Sequence, residues 1–91
     1  MRSVTFPPSV RSVFSQDGAV VMDIKGGMMY TSNPVGGRIL QLLREGMADE
    51  NVVELVSREC DVEPERVRRD LGRFLEQLHS YGLIEQKNLS A

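Results

Sequence analysis

The chain has no tryptophan, one cysteine and one histidine in its 91 residues. With Cys60 alone, neither an internal disulfide nor a cysteine metal cluster is possible. No histidine sits where it would make Cys60 a nucleophile, and the apolar face it shares with its helical neighbours predicts a buried, inert thiol. His79 falls near the end of a helical segment, where a cation is favoured by the helix dipole. An excess of one charge is missing as well: 11 Lys and Arg stand against 13 Asp and Glu, for a net charge of −2. There is thus no global basic field to collect nucleic acid. No apolar run approaches the roughly 20 residues that span a bilayer, and the start of the chain has no continuous apolar signal-peptide core. Gly26-Gly27 lacks the helix and lysine of a phosphate-cradling loop, and no metal-ligand spacing occurs. These absences predict a cytoplasmic, non-enzymatic protein with no cofactor and no metal, acting on neither membrane nor nucleic acid.

The hydrophobic fraction of 41% supports one compact core without a catalytic chamber. Residues 1–9, with Pro7-Pro8, read as an extended lead-in, residues 10–85 as the folded domain, and residues 86–91 as a polar tail. Asp17-Gly18 lies between two β-rich runs and signals a hairpin. The first run covers residues 10–14. The second covers residues 19–25, where a period of two sets Val20, Met22 and Ile24 on one face. Gly26-Gly27 permits a second turn into a third run, residues 28–32.

From residue 34 onward the pattern is helical. Asn33-Pro34 supplies an N-cap and a first-turn proline. Val35, Ile39, Leu42 and Leu43 make an apolar stripe, Gly36-Gly37 allows close packing, and Gly46 suits a left-handed helix end with Met47 folding back on Leu42. A second helix over residues 49–59 carries Val52, Leu55, Val56 and Cys60 on one face. After a short turn at Asp61, Glu63-Pro64 opens a third helix, with Val62 and Val67 at staple spacing. Its stripe is Val67, Leu71, Phe74, Leu75 and Leu78, and Gly82 ends it. Three strands then three helices predict an α+β, winged-helix-like domain. Arg66, Arg69 and Arg73 on the third helix are offset by Glu65, Asp70 and Glu76. They read as a solvated face with ion pairs rather than a phosphate-binding element, although a winged-helix DNA-binding regulator remains the rival reading.

The third strand, Met28 to Ser32, is an edge with no charge, proline or glycine, whereas soluble proteins usually guard their edges. Such an edge has three uses. It accepts an extended peptide by β-augmentation, it lies under another part of the fold, or it pairs with a second copy. In the first case Met28, Met29, Tyr30, Thr31 and Ser32 form the rail. The third helix forms the wall, with Val67, Leu71 and Phe74 at its centre and Asp70, Arg73 and Gln77 on one flank.

The chain resembles the PqqD-like family, also called RiPP recognition elements. The resemblance runs through the Asp17-Gly18 hairpin, Gly27-Met28-Met29-Tyr30, Asn33-Pro34-Val35-Gly36-Gly37-Arg38-Ile39, Asp61-Val62-Glu63-Pro64-Glu65-Arg66-Val67, and Gly82-Leu83-Ile84. It implies that the leader of a ribosomally made precursor adds as a strand to the third strand, against the third helix. It also implies a free-standing member of the lasso-peptide type, a monomer or weak dimer that serves a separate leader protease and possibly a cyclase. A peptide chaperone of pyrroloquinoline quinone biosynthesis is the alternative within the family. Ser32 stands where members often have leucine, and Leu40 where they often have tryptophan. Both departures bear on the shape of the pocket.

Overall fold

A computed structural model describes residues 2–88. Five strands and three helices follow in the order β1 (Arg2–Thr5), β2 (Val10–Ser15), β3 (Gly18–Asp23), β4 (Met29–Ser32), α1 (Pro34–Arg44), α2 (Asp49–Cys60), α3 (Pro64–Ser80) and β5 (Glu85–Asn88). β2, β3 and β4 form an antiparallel meander in that order. The expected α+β architecture, a three-stranded sheet followed by three helices, is therefore present. The lead-in and the start of the tail pair with each other as β1 and β5, from Arg2 opposite Asn88 to Thr5 opposite Glu85. The remainder of the expected tail, residues 89–91, lies outside the described residues, as does residue 1.

Local chemistry sets the element ends. Asn33 accepts a hydrogen bond from the Gly36 amide at 2.8 Å, capping α1. At the other end Gly46 adopts a left-handed conformation, the Met47 amide donates to the Leu42 carbonyl and the Gly46 amide to that of Leu43. That is the double hydrogen bond of a Schellman motif. α3 closes in the same way, with the Leu83 amide donating to the Leu78 carbonyl. β3 stops at Asp23, two residues short of the expected end. The Asp23 carboxylate accepts from the Lys25 amide at 3.1 Å and its carbonyl from the Gly27 amide at 2.9 Å, so the chain turns before Lys25 can join the ladder.

The core lies between the inner face of the sheet and the helices. Val10, Ala19 and Val21 meet Ile39, Leu40, Leu42 and Leu43 of α1, with Val52, Val53 and Val56 of α2 and the full expected stripe of α3 behind them. Val20, Met22 and Ile24 do share a face, but it is the solvent face; Ala19 and Val21 point inward. Cys60 is half-buried rather than buried, since it sits in the last turn of α2 beside open solvent. Arg38 ties α1 to α2 through two hydrogen bonds to Glu59, at 2.8 and 3.1 Å. That contact holds the Glu59 carboxyl below the usual carboxylate range.

α1 approaches the hairpin closely. A Cβ on Gly37 would stand 2.6 Å from the Gly18 carbonyl carbon and 2.8 Å from its Cα, both rigid backbone atoms. Gly37→Ala is therefore expected to lower unfolding free energy by about 1–3 kcal/mol. Gly72 lies within α3 with open space around its would-be Cβ, so Gly72→Ala is expected to raise it by about 0.5–1 kcal/mol. Urea unfolding of both variants checks the opposite signs.

Candidate functional site: an open strand edge beside α3

β4 pairs with β3 on one side, and no strand lies beyond it among the described residues. The register sets Met22 opposite Met29, Val21 opposite Tyr30 and Val20 opposite Thr31. The Asp23 amide donates to the Met28 carbonyl at 2.8 Å, which makes 23 and 28 a hydrogen-bonded pair. Antiparallel pairs alternate, so Tyr30 is the next residue whose backbone faces β3. The amides and carbonyls of Met29 and Thr31 face away from the sheet. Four backbone groups in one line are thus presented to a fourth strand.

The side chains of β4 alternate as well. Tyr30 and Ser32 turn toward the helices, while Met29 and Thr31 are exposed. Tyr30 bridges to α3: its hydroxyl donates to Gln77 Oε1 at 2.9 Å, and its ring meets Phe74 edge-on at 6.3 Å between centroids. Tyr81, just past α3, approaches Tyr30 at 6.2 Å. Arg73 lies over the Phe74 ring at 5.4 Å and donates to Asp70 at 3.3 Å. Phe74 is pressed from behind by α1, since a Cβ on Gly36 would lie 2.7 Å from its ring. The wall beside the open edge is therefore aromatic at its base and carries an arginine and an amide on its rim.

Most of the residues expected at this site converge. Tyr30, Asp70, Arg73, Phe74 and Gln77 meet along the groove, and Met28, Met29 and Thr31 are exposed on its strand side. Val67 and Leu71 are 0% and 2% exposed, so they support the wall from inside the core and are not open to a ligand. Ser32 is used internally, because its hydroxyl accepts the Ala19 amide at 3.2 Å, an interaction leucine could not make. Tyr81 was missed. It stands four residues after Gln77 and seven after Phe74, a helical spacing that places all three on one face.

Of the α3 arginines, Arg66, Arg68 and Arg73 are engaged with carboxylates. Asp70 takes Arg66 at 3.9 Å as well as Arg73, and Arg68 pairs with Glu50 at 3.1 Å and with Glu65. No group of three or more His, Cys, Asp or Glu able to hold a metal occurs among the described residues, and none of their helices is long and apolar enough to cross a membrane.

Burial raises the pKa of the Tyr30 phenol, partly opposed by the positive charge of Arg73. The native state thus holds this proton more tightly than the unfolded chain, whose tyrosine titrates near about 10. The stability from the neutral phenol is complete below that value and is lost as pH rises through the higher native pKa. Absorbance titration is expected to show a phenolate step above the ordinary range, and Tyr30→Phe to remove it.

Comparison with known proteins agrees with this geometry. The family described as "Coenzyme PQQ synthesis protein D (PqqD)" matches residues 18–84. The structure of TbiB1 in complex with the TbiA(beta) leader peptide is similar over 89% of this chain and 94% of that one, at 32% identity and a TM-score of 0.77. Lasso peptide synthetase B1 complexed with the leader peptide shares the fold over 91% of this chain and 98% of that one, at 22% identity and a TM-score of 0.79. Curated proteins yield no match. The aromatic strand leading into a capped Asn-Pro helix, Gly36 beneath Phe74 and the exposed third strand of the meander are thus features of a chain that belongs to the PqqD family.

Proposed function

We propose that this chain binds the leader segment of a ribosomally synthesised precursor peptide as a strand added to β4 and holds it for separate processing enzymes. The observation that carries the reading is the line of outward amides and carbonyls at Met29 and Thr31 beside the Tyr30–Phe74–Gln77 wall. Two structurally similar proteins caught with leader peptides support it. The lasso-peptide type, with a leader protease and a cyclase as downstream partners in the cytoplasm, is the pathway most consistent with those similarities. The chain itself performs no chemistry in this scheme.

The energetics require both parts of the site. Each backbone hydrogen bond contributes about 1 kcal/mol net, whereas ordering each residue of a flexible peptide costs about 1–2 kcal/mol. Backbone pairing alone therefore barely binds. Apolar anchors buried against the wall contribute roughly 1.5–3 kcal/mol apiece and decide which leader is held. Arg73 and Gln77 on the rim supply donors and an acceptor that fix its register.

Titration with the leader of the cognate precursor is expected to saturate. In hydrogen exchange, the Met29 and Thr31 amides are expected to slow on binding, whereas the Tyr30 amide, already turned toward β3, changes little. Thr31→Pro removes an outward donor without breaking the β3–β4 ladder, so affinity is expected to fall by about tenfold or more at nearly unchanged melting temperature. Unaltered exchange at Met29 and Thr31 in the saturated complex would rule out strand addition.

A further inference from the structure

The rim of the groove carries two hydrogen-bonding side chains whose orientations are set by their neighbours. Gln77 is exposed on α3, and its Oε1 accepts the Tyr30 hydroxyl at 2.9 Å. Burial raises the Tyr30 pKa, so the phenol keeps the proton it donates. A side-chain amide carries its oxygen and its NH2 on opposite sides of one carbon. Tying the oxygen to β4 therefore sets which way the NH2 points, and that nitrogen has no hydrogen-bond partner among the described residues. Arg73 stands four residues earlier in α3, on the same face, with its Cβ about 5–6 Å from that of Gln77. Its Nη2 donates to Asp70 at 3.3 Å, and its guanidinium lies 5.4 Å from the centre of the Phe74 ring. These two contacts hold the plane of the group, while its remaining N–H donors have no acceptor among the described residues.

Charge adds to this geometry. The Asp70 side chain is 18% exposed and lies between Arg66, at 3.9 Å, and Arg73, so an approaching peptide meets guanidinium rather than carboxylate. Two cations and one anion leave this stretch of the rim with one positive charge, on a chain whose net charge is −2. A cationic donor beside a neutral donor matches one chemical group of a peptide, a side-chain carboxylate. It accepts from both at once, and a bond from arginine to an ionised oxygen is about twice as strong as one between neutral groups. The corresponding amide fits badly, because its NH2 would face Arg73 or Gln77, donor against donor. A lysine or arginine at the same place is repelled.

We propose that Arg73 and Gln77 form a clamp for an aspartate or glutamate side chain of the leader, with Asp70 and Tyr30 as the positioning residues that aim them. The inference rests on the leader-binding reading above. The carboxylate belongs to a leader position facing α3, where alternate side chains of the added strand point. It sets the register in which the apolar anchors meet Phe74 and Tyr81.

The test uses the full chain and the synthetic leader of the cognate precursor, with each aspartate and glutamate changed in turn to asparagine or glutamine. On the wild-type chain one replacement is expected to weaken binding by about tenfold, and the others by less than about twofold. On Arg73→Gln the same replacement is expected to weaken it by less than about twofold, because the partner of the carboxylate is already gone. Gln77→Glu keeps an acceptor for the Tyr30 hydroxyl but sets an anion where the NH2 stood. It is expected to reverse the preference, so that the amide leader binds better than the native one. Tyr30→Phe frees the Gln77 amide to rotate and is expected to shrink the acid-over-amide ratio by about threefold or more. A loss equal for both leaders would overturn the positioning role of Tyr30. The clamp is overturned, with strand addition intact, if no acidic residue of the leader is sensitive or if the penalty is the same on Arg73→Gln as on the wild-type chain. Failure of the native leader to bind the wild-type chain overturns the reading beneath it as well.

Discussion

The approach of the first turn of α1 to the β2–β3 hairpin is the contact on which the remaining geometry depends. Gly37 lies against the Gly18 backbone, and Gly36 lies against Phe74 and Ser32. With side chains at these positions, α1 would ride higher and leave a gap in the core. Because the helix sits this low, Asn33 caps it immediately after Ser32 and the chain leaves the sheet there. β4 is consequently only four residues long. The same closeness drives Phe74 outward against Tyr30, so the packing that fixes α1 also builds the aromatic base of the groove. Core and site are two sides of one steric arrangement.

Polar contacts then divide the surface into used and unused parts. On α3, Asp70 gathers Arg66 and Arg73, and Arg68 reaches back to Glu50 of α2. These exposed pairs contribute little to stability. Their effect is to occupy guanidinium groups that would otherwise give the helix a cationic face, which fits a groove selecting by shape and backbone pairing rather than by attraction for phosphate. Arg73 is placed for two tasks, since it both holds Asp70 and covers Phe74.

Much of this was legible in the sequence because it depends on short-range chemistry. The Asn33 cap, the glycine ends at Gly46 and Gly82, the Asp17-Gly18 turn and the five-residue stripe of α3 each follow from neighbours within a few positions. What was illegible depended on choices the local pattern leaves balanced. β3 is apolar on both faces, with Ala19 and Val21 alternating with Val20 and Met22, so periodicity gave the grouping but not the inward direction. For the same reason Val67 and Leu71 were assigned to the groove although they lie in the core: a helical wheel gives a face without its depth. β1 and β5 are short, largely polar and far apart in sequence, so their pairing carries no periodic signal and becomes visible only once the intervening domain has closed.

That last pairing has a topological consequence. Because β1 and β5 run antiparallel with Arg2 opposite Asn88, the polypeptide enters and leaves the domain through one doorway, its two strands separated by about 5 Å. A unit with such adjacent ends can be spliced into a surface loop of a larger protein without prising its host apart. It would carry the open edge of β4 and the groove beside it into the new setting as a self-contained cassette.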